Sequence, residues 1–200
     1  MRPDTAVTSA TDDISERYLK RAIAEINDLG SDIAQAAGPE GAHVFGSGHP
    51  LADILMVKHS PQPSELQEGV AFFGRSGEAL LKSIQRLRID PMAIYGTNVL
   101  KIAGDNAEYS LPWLTREIHI VQPKVIVIMG VDALQSVNDL EFPLAATVTG
   151  TTGEIQVFTP TIGALVTPAI DKALDEQDTK REFWEAFKAL GPWWSELPPY

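Results

Sequence analysis

A histidine, an asparagine and two adjacent aromatic rings have the types and placement to do chemistry in this chain. His59 stands in Lys58-His59-Ser60-Pro61-Gln62, directly after the apolar run Ile54–Val57. Its imidazole, with an ordinary pKa of about 6.5, is placed as a general acid or base would be; the alternative is a solvated loop histidine. Phe72-Phe73-Gly74-Arg75-Ser76-Gly77 sets two rings just before a helix start. A ring there could stack on a flat ligand while first-turn N–H groups meet an anion. Alternatively, both rings fill the core while the glycines make the turn. Asn98 lies near the end of a strand of otherwise apolar residues. Its amide offers a donor and an acceptor, as reading a base edge or another planar amide requires, or else it makes a structural bond to a neighbouring loop.

Other polar groups fit no site. His43 and His49 lie six residues apart in a glycine-rich loop, a spacing that matches no metal-ligand pattern. His119 falls in a helix, so no metal site is expected. The glycines of Gly46-Ser47-Gly48 precede a strand and do not follow one, which excludes a dinucleotide fingerprint. Trp193-Trp194, in the terminal GPWWSELPPY, either form a docking patch or pack back on their own domain.

Periodicity indicates the elements that must position these residues. Residues 1–12 read as a flexible tail. Ile14 to about Ala37 reads as one or two amphipathic helices, broken at Gly30. A glycine-rich loop over 38–50 leads to a strand at Ile54–Val57, buried on both faces. Residues 61–75 read as a long loop, and Ser76–Leu87 as a helix that Ser76 caps. Then follow a strand at Ile94–Leu100, a helix with Pro112 in its first turn running to about Val121, and the strand VIVIM at 125–129. A short helix at Val131–Val137, a hairpin over Thr147–Thr159, a strand at Ala164–Val166 and a helix at Thr179–Leu190 complete the domain. The chain thus divides into the tail, a single domain over 13–190 and a Trp/Pro-rich C-terminal tail over 191–200. Strands alternating with helices predict a three-layer α/β/α fold around a central, mostly parallel sheet of four to five strands. Ligands in such folds sit beyond the carboxyl ends of the strands, here the loops after Val57, Leu100, Gly130 and Val166.

Composition narrows the function. The 200 residues hold 16 Lys and Arg against 27 Asp and Glu, a formal net charge of −11. That balance argues against strong non-specific nucleic-acid binding, which relies on basic residues at phosphates. There is no cysteine, which removes thiol nucleophiles, disulfides, Cys-zinc sites and Cys-ligated iron–sulfur clusters. No apolar run approaches the roughly 20 residues of a membrane span, and the N-terminus carries no secretory signal. A cytoplasmic protein with no membrane contact is expected.

Several segments fall into one ordered arrangement: FGSGHPLADILMVKHSPQ (45–62), EGVAFFGRSGEALL (68–81), IYGTNVLK (94–101), LPWLTREIHIVQPKVIVIMGVDAL (111–134), and VTPAI (166–170) before KREFWEAFKAL (180–190). This arrangement resembles the uracil-DNA glycosylase superfamily, specifically its iron–sulfur, family four branch. The resemblance implies that family's fold and its base excision. A flipped uracil stacks on an aromatic ring, an asparagine reads its edge, and a cationic transition state is stabilised while water attacks the sugar carbon. By resemblance Phe72 takes the stacking position and Asn98 the base-reading position, with Pro61, Gly74, Arg75 and Pro168 as associated motif residues.

The chemistry-bearing positions depart from the family. Its first motif, Gly-Glu-Ala-Pro-Gly, here reads Lys58-His59-Ser60-Pro61-Gln62, so His59 replaces the carboxylate. Its second motif begins His-Pro; here Thr167-Pro168 offers a hydroxyl in place of the imidazole. The Leu-Arg wedge is replaced by Asp171-Lys172-Ala173, followed by Asp175 and Glu176, a stretch whose charge should repel phosphates. Ile102 and Ser110 stand at cluster-cysteine positions, and the family's two N-terminal cysteines have no counterpart. No iron–sulfur cluster is expected, the region being held by packing and by the N-terminal helix.

The expected function is a divergent family member with a nucleobase-type pocket and little or no standard uracil excision, acting as a binding or regulatory module. Its ligand would be a nucleobase, a nucleoside or a uracil-like molecule, with weak or no DNA binding. One alternative is a glycosylase or nucleoside hydrolase that uses His59 on another modified base. Another is an acidic scaffold for a basic protein partner.

Overall fold

The structure, a computed structural model, describes residues 5–198, with side chains from residue 13 onward. Six strands form one sheet in the order β1-β3-β2-β4-β6-β5. These are β1 (Ser47–Gly48), β2 (Ile54–Lys58), β3 (Ile94–Asn98), β4 (Val125–Met129), β5 (Ile155–Val157) and β6 (Gly163–Thr167). The inner four run parallel, and the short edge strands β1 and β5 pair antiparallel. The sheet is therefore mostly parallel, as the sequence indicates. The two edges raise the strand number to six because pieces as short as two and three residues show no alternation to read.

Parallel strands need crossovers, and these cover both faces. α2 (Pro63–Glu68), α3 (Arg75–Arg86), α6 (Ile170–Asp175), α7 (Gln177–Phe187) and α8 (Leu190–Glu196) lie on one face; α4 (Ala107–Val121) and α5 (Val131–Asn138) lie on the other. Alternate residues feed two cores. Ile54, Met56 and Val127 pack with Leu80, Ile84 and Phe187, while Leu55, Val57 and Ile128 pack with Leu114, Ile118 and Val137. Trp193 and Trp194, in α8, pack against the first core, so the segment read as a tail is helical and partly buried.

α1 (Thr5–Ala37) is one unbroken helix. Residues 5–12, read as tail, have helical backbone, and residues 1–4 lie outside the described ones. Gly30 does not interrupt it. A Cβ at Gly30 would stand 3.5 Å from the Phe45 ring, an ordinary van der Waals contact, so this face of the helix packs on Phe45. α4 also starts earlier than Pro112 suggests, because Asn106 accepts a hydrogen bond from the Tyr109 N–H and caps it. Pro112 then lies inside the helix, where it removes one backbone bond. The expected hairpin over 147–159 reduces to β5. The Gln156 side chain instead ties the Thr149–Thr151 loop through Thr149 N, Thr149 O and Thr151 O.

Candidate functional site

The register of the inner strands carries one row of residues across the carboxyl end of the sheet. Asn98 pairs with Lys58, Lys58 with Met129, and Met129 with Thr167. All four lie on the face that carries Phe72 and α3. β2 and β4 are also the neighbours whose connections leave in opposite directions, to α2 on one face and α5 on the other. Crevices beyond such a switch point are where α/β sheets hold ligands. Lys58 stands at its centre.

Phe72 reaches this row through an unusual backbone. Its φ is +57°, a left-handed conformation that costs a side-chain-bearing residue about 1–2 kcal/mol. Two contacts hold it. Its N–H donates to Glu65 Oε1, and its ring rests on Gly96, where a Cβ would stand 2.7 Å from Cδ2. Glu65 is available because Gln62-Pro63 starts α2 and the carboxylate reaches back 2.6 Å to the Gln62 N–H. The stretch read as a long loop thus contains a capped helix. Gly77 completes the turn, since a Cβ there would meet the Phe72 carbonyl oxygen at 1.9 Å. Gly77→Ala is therefore expected to lower stability by about 1–3 kcal/mol and to displace Phe72, as urea unfolding and the aromatic NMR shifts would report.

Asn98 is 1% exposed, and neither its Oδ1 nor its Nδ2 has a hydrogen-bond partner within the protein. Buried amides are ordinarily satisfied, so such a group stands out. Ser76 Oγ is likewise buried and unpartnered. Ser76 does not cap α3: Gly74, at φ +84°, occupies the N-cap position and Ser76 lies inside the first turn. Arg75 turns outward and joins Asp175 at 2.8 Å, tying α3 to α6.

Lys58, unlike most lysines, is buried. Its ammonium lies 2.7 Å from Glu65, 2.8 Å from Asp171 and 5.5 Å from the centroid of the Phe72 ring, over its face. Asp171 belongs to the acidic stretch read as facing phosphates. That stretch is α6 and its C-cap Glu176, with Asp171 paired to Lys58, Asp175 to Arg75, and Glu176 accepting from Thr179 Oγ1. A cavity of 520 Å³ adjoins it, lined in part by Gln62, Phe73, Ser76 and Asp171.

The other motif positions bond locally. His59 is half-buried, with Nδ1 2.8 Å from Ser60 Oγ. Thr167 is buried, and its hydroxyl donates to the Pro168 carbonyl at 3.1 Å. Pro61 falls in the turn between β2 and α2. His43 bonds Gly41 O, His49 accepts from Leu51 N, and His119 stacks on Phe142. Among the described residues no cluster of His, Asp and Glu is arranged to hold a metal ion.

The residues near the family's cluster positions do not fit an iron–sulfur cluster. Ile102 has no donor atom and bridges to His43, and the buried Ser110 hydroxyl accepts from Lys101 N. The sequence supplies no thiolate. Backbone bonds from Val44 N to Lys101 O and from Ala103 N to Ala42 O join the segment after α1 to the segment after β3. Beneath them lies a second buried ion pair, Lys101–Glu117, in which Glu117 also accepts from Tyr95 OH and Thr97 Oγ1. Burial drives the Lys101 pKa down against the pull of Glu117, and burial beside that carboxylate drives the Tyr95 phenol up.

Comparison with known proteins bears on the family. Residues 45–191 match the model of the uracil DNA glycosylase superfamily. A type-4 uracil-DNA glycosylase of Archaeoglobus fulgidus is 26% identical over 160 residues, 74% of this chain and 80% of the relative. One from Sulfurisphaera tokodaii is 33% identical over 96 residues, 44% of each chain. Another, from Pyrobaculum aerophilum, is 28% identical over 105 residues, 48% of this chain and 54% of the relative.

Proposed function

Since the chain belongs to the uracil-DNA glycosylase superfamily, we propose that it is a divergent member with little or no standard uracil excision, serving as a binding or regulatory module for a nucleobase-type ligand. One observation carries this reading. The two residues suited to recognise a base lie at one strand end, with the Asn98 amide buried and unpartnered two residues beyond the Gly96 on which the Phe72 ring rests, while His59 and Thr167 at the chemical positions are bonded to their own chain neighbours.

An excision site must place a group that orients water and supports positive charge on the sugar, and another that meets negative charge developing on the base. At the first position His59 lacks the negative charge and is engaged with Ser60. At the second, Thr167 donates to its own chain. Asn98 keeps both a donor and an acceptor for a planar cis-amide edge. Recognition without bond cleavage is what these groups support.

The test is release of uracil from a uracil-containing single-stranded oligonucleotide. No release above the rate of an Asn98→Ala variant is expected. Release near the rate of an active type-4 enzyme, abolished by Asn98→Ala, would sink the reading.

A further inference from the structure

Lys58 has no place in the recognition of a base by Phe72 and Asn98, yet it is next to both. The strand register sets it beside Asn98, and its ammonium lies over the face of Phe72. That face is where a planar ligand would stack, and a cation there is held by the ring's own quadrupole. Resting on the reading of the Phe72–Asn98 pair as a base site, we propose that the Lys58 side chain is a displaceable cover over that site. It takes the place of a stacked neutral base and closes the site until a ligand displaces it.

The ion pairs explain why the closure holds and where it yields. Glu65 is fully buried and already bound by the backbone N–H groups of Gln62 and Phe72, so it is a fixed anchor. Asp171 is 25% exposed and lines the 520 Å³ cavity. It is the arm that solvent can compete for. The cavity gives the displaced ammonium a polar place to go, between Gln62, Ser76 and Asp175. With the glycine of the family motif at position 58, nothing would cover the ring.

A site that is open only part of the time binds its ligand more weakly by that fraction. Removing the covering side chain should therefore create affinity without any new contact. Free uracil is the probe, titrated into full-length protein by calorimetry or NMR. Lys58→Ala alone leaves Glu65 buried without its counter-ion, which threatens folding. Lys58→Ala/Glu65→Gln removes both charges and keeps an acceptor for the Phe72 N–H.

Uracil is expected to bind either folded variant at least tenfold more tightly than wild type, with the gain lost when Asn98→Ala is added. The proposal is overturned if a folded variant binds uracil within threefold of wild type or not at all at millimolar concentration. It is also overturned if the gain survives Asn98→Ala. Failure of the underlying reading appears separately, as uracil release from DNA by the wild-type protein.

Discussion

Uracil excision from single-stranded DNA by this protein is expected to fall about four orders of magnitude below that of an active family member. A positioned acid or base contributes about 10²–10⁴-fold, and loss of one electrostatic partner at a developing charge costs about 10²–10³-fold. On the proposed reading both are missing, and because such groups act as a unit their losses do not multiply in full. His59 does not restore the first. A neutral imidazole brings no negative charge to a sugar cation, and a protonated one opposes it. Thr167 does not restore the second, since its hydroxyl is already directed at Pro168 O. Gel-resolved cleavage of a uracil-containing oligonucleotide after alkali treatment reads the rate directly. Restoring the carboxylate with His59→Glu should recover only part of it, because Thr167 and the Lys58 cover remain.

Glu117→Ala should lower stability by about 3–5 kcal/mol, the usual result when one member of a buried ion pair is deleted. Lys101 is fully buried, and the hydroxyls of Tyr95 and Thr97 also rely on this carboxylate. Without Glu117 the Lys101 amine would keep only the Thr97 hydroxyl against the burial that already drives its pKa down. The sign of the pH response follows. In the unfolded chain the lysine keeps its proton up to about pH 10.4, whereas the folded variant sheds it at lower pH. The unfolded state then binds more protons, and stability rises with pH across that interval. Urea unfolding at pH 7 and pH 9 should therefore show the deficit shrinking at the higher pH. Replacing both partners with apolar residues, Lys101→Met/Glu117→Leu, should cost far less, since it leaves no buried charge unpaired. An equal cost for the single and double replacements would count against this account.

Phe72 and Asn98 could be singled out in the chain from residue type and local context, while the base-binding role proposed for them came from the resemblance and not from those cues. Phe72 precedes a glycine turn, and Asn98 ends an apolar strand. The buried runs ILMV and VIVIM were equally plain. Lys58 was not legible as a buried residue, because a lysine after an apolar run ordinarily marks the point where a strand leaves the core. Its burial depends on Glu65, supplied by a short helix within what reads as a loop, and on Asp171, 113 residues away. Asp171 in turn reads as a surface acid until its helix is docked. The early start of α4 was signalled by Asn106 and masked by Pro112, which draws the eye as a helix opener.

The net charge of −11, the lack of cysteine and the identities of His59 and Thr167 are properties of the chain alone. Hydrophobic periodicity determines the fold class, and the lack of cysteine excludes thiolate-held cofactors. Periodicity can do this because it records which face of each element meets the core, a local quantity. Which charges face one another is not local. The parallel register decided that Asn98, Lys58, Met129 and Thr167 share a row, and the docking of α2 and α6 over it decided that two carboxylates meet one ammonium there. Ion pairs across a fold leave no periodic trace, because their partners are joined only when distant strands and helices come into contact.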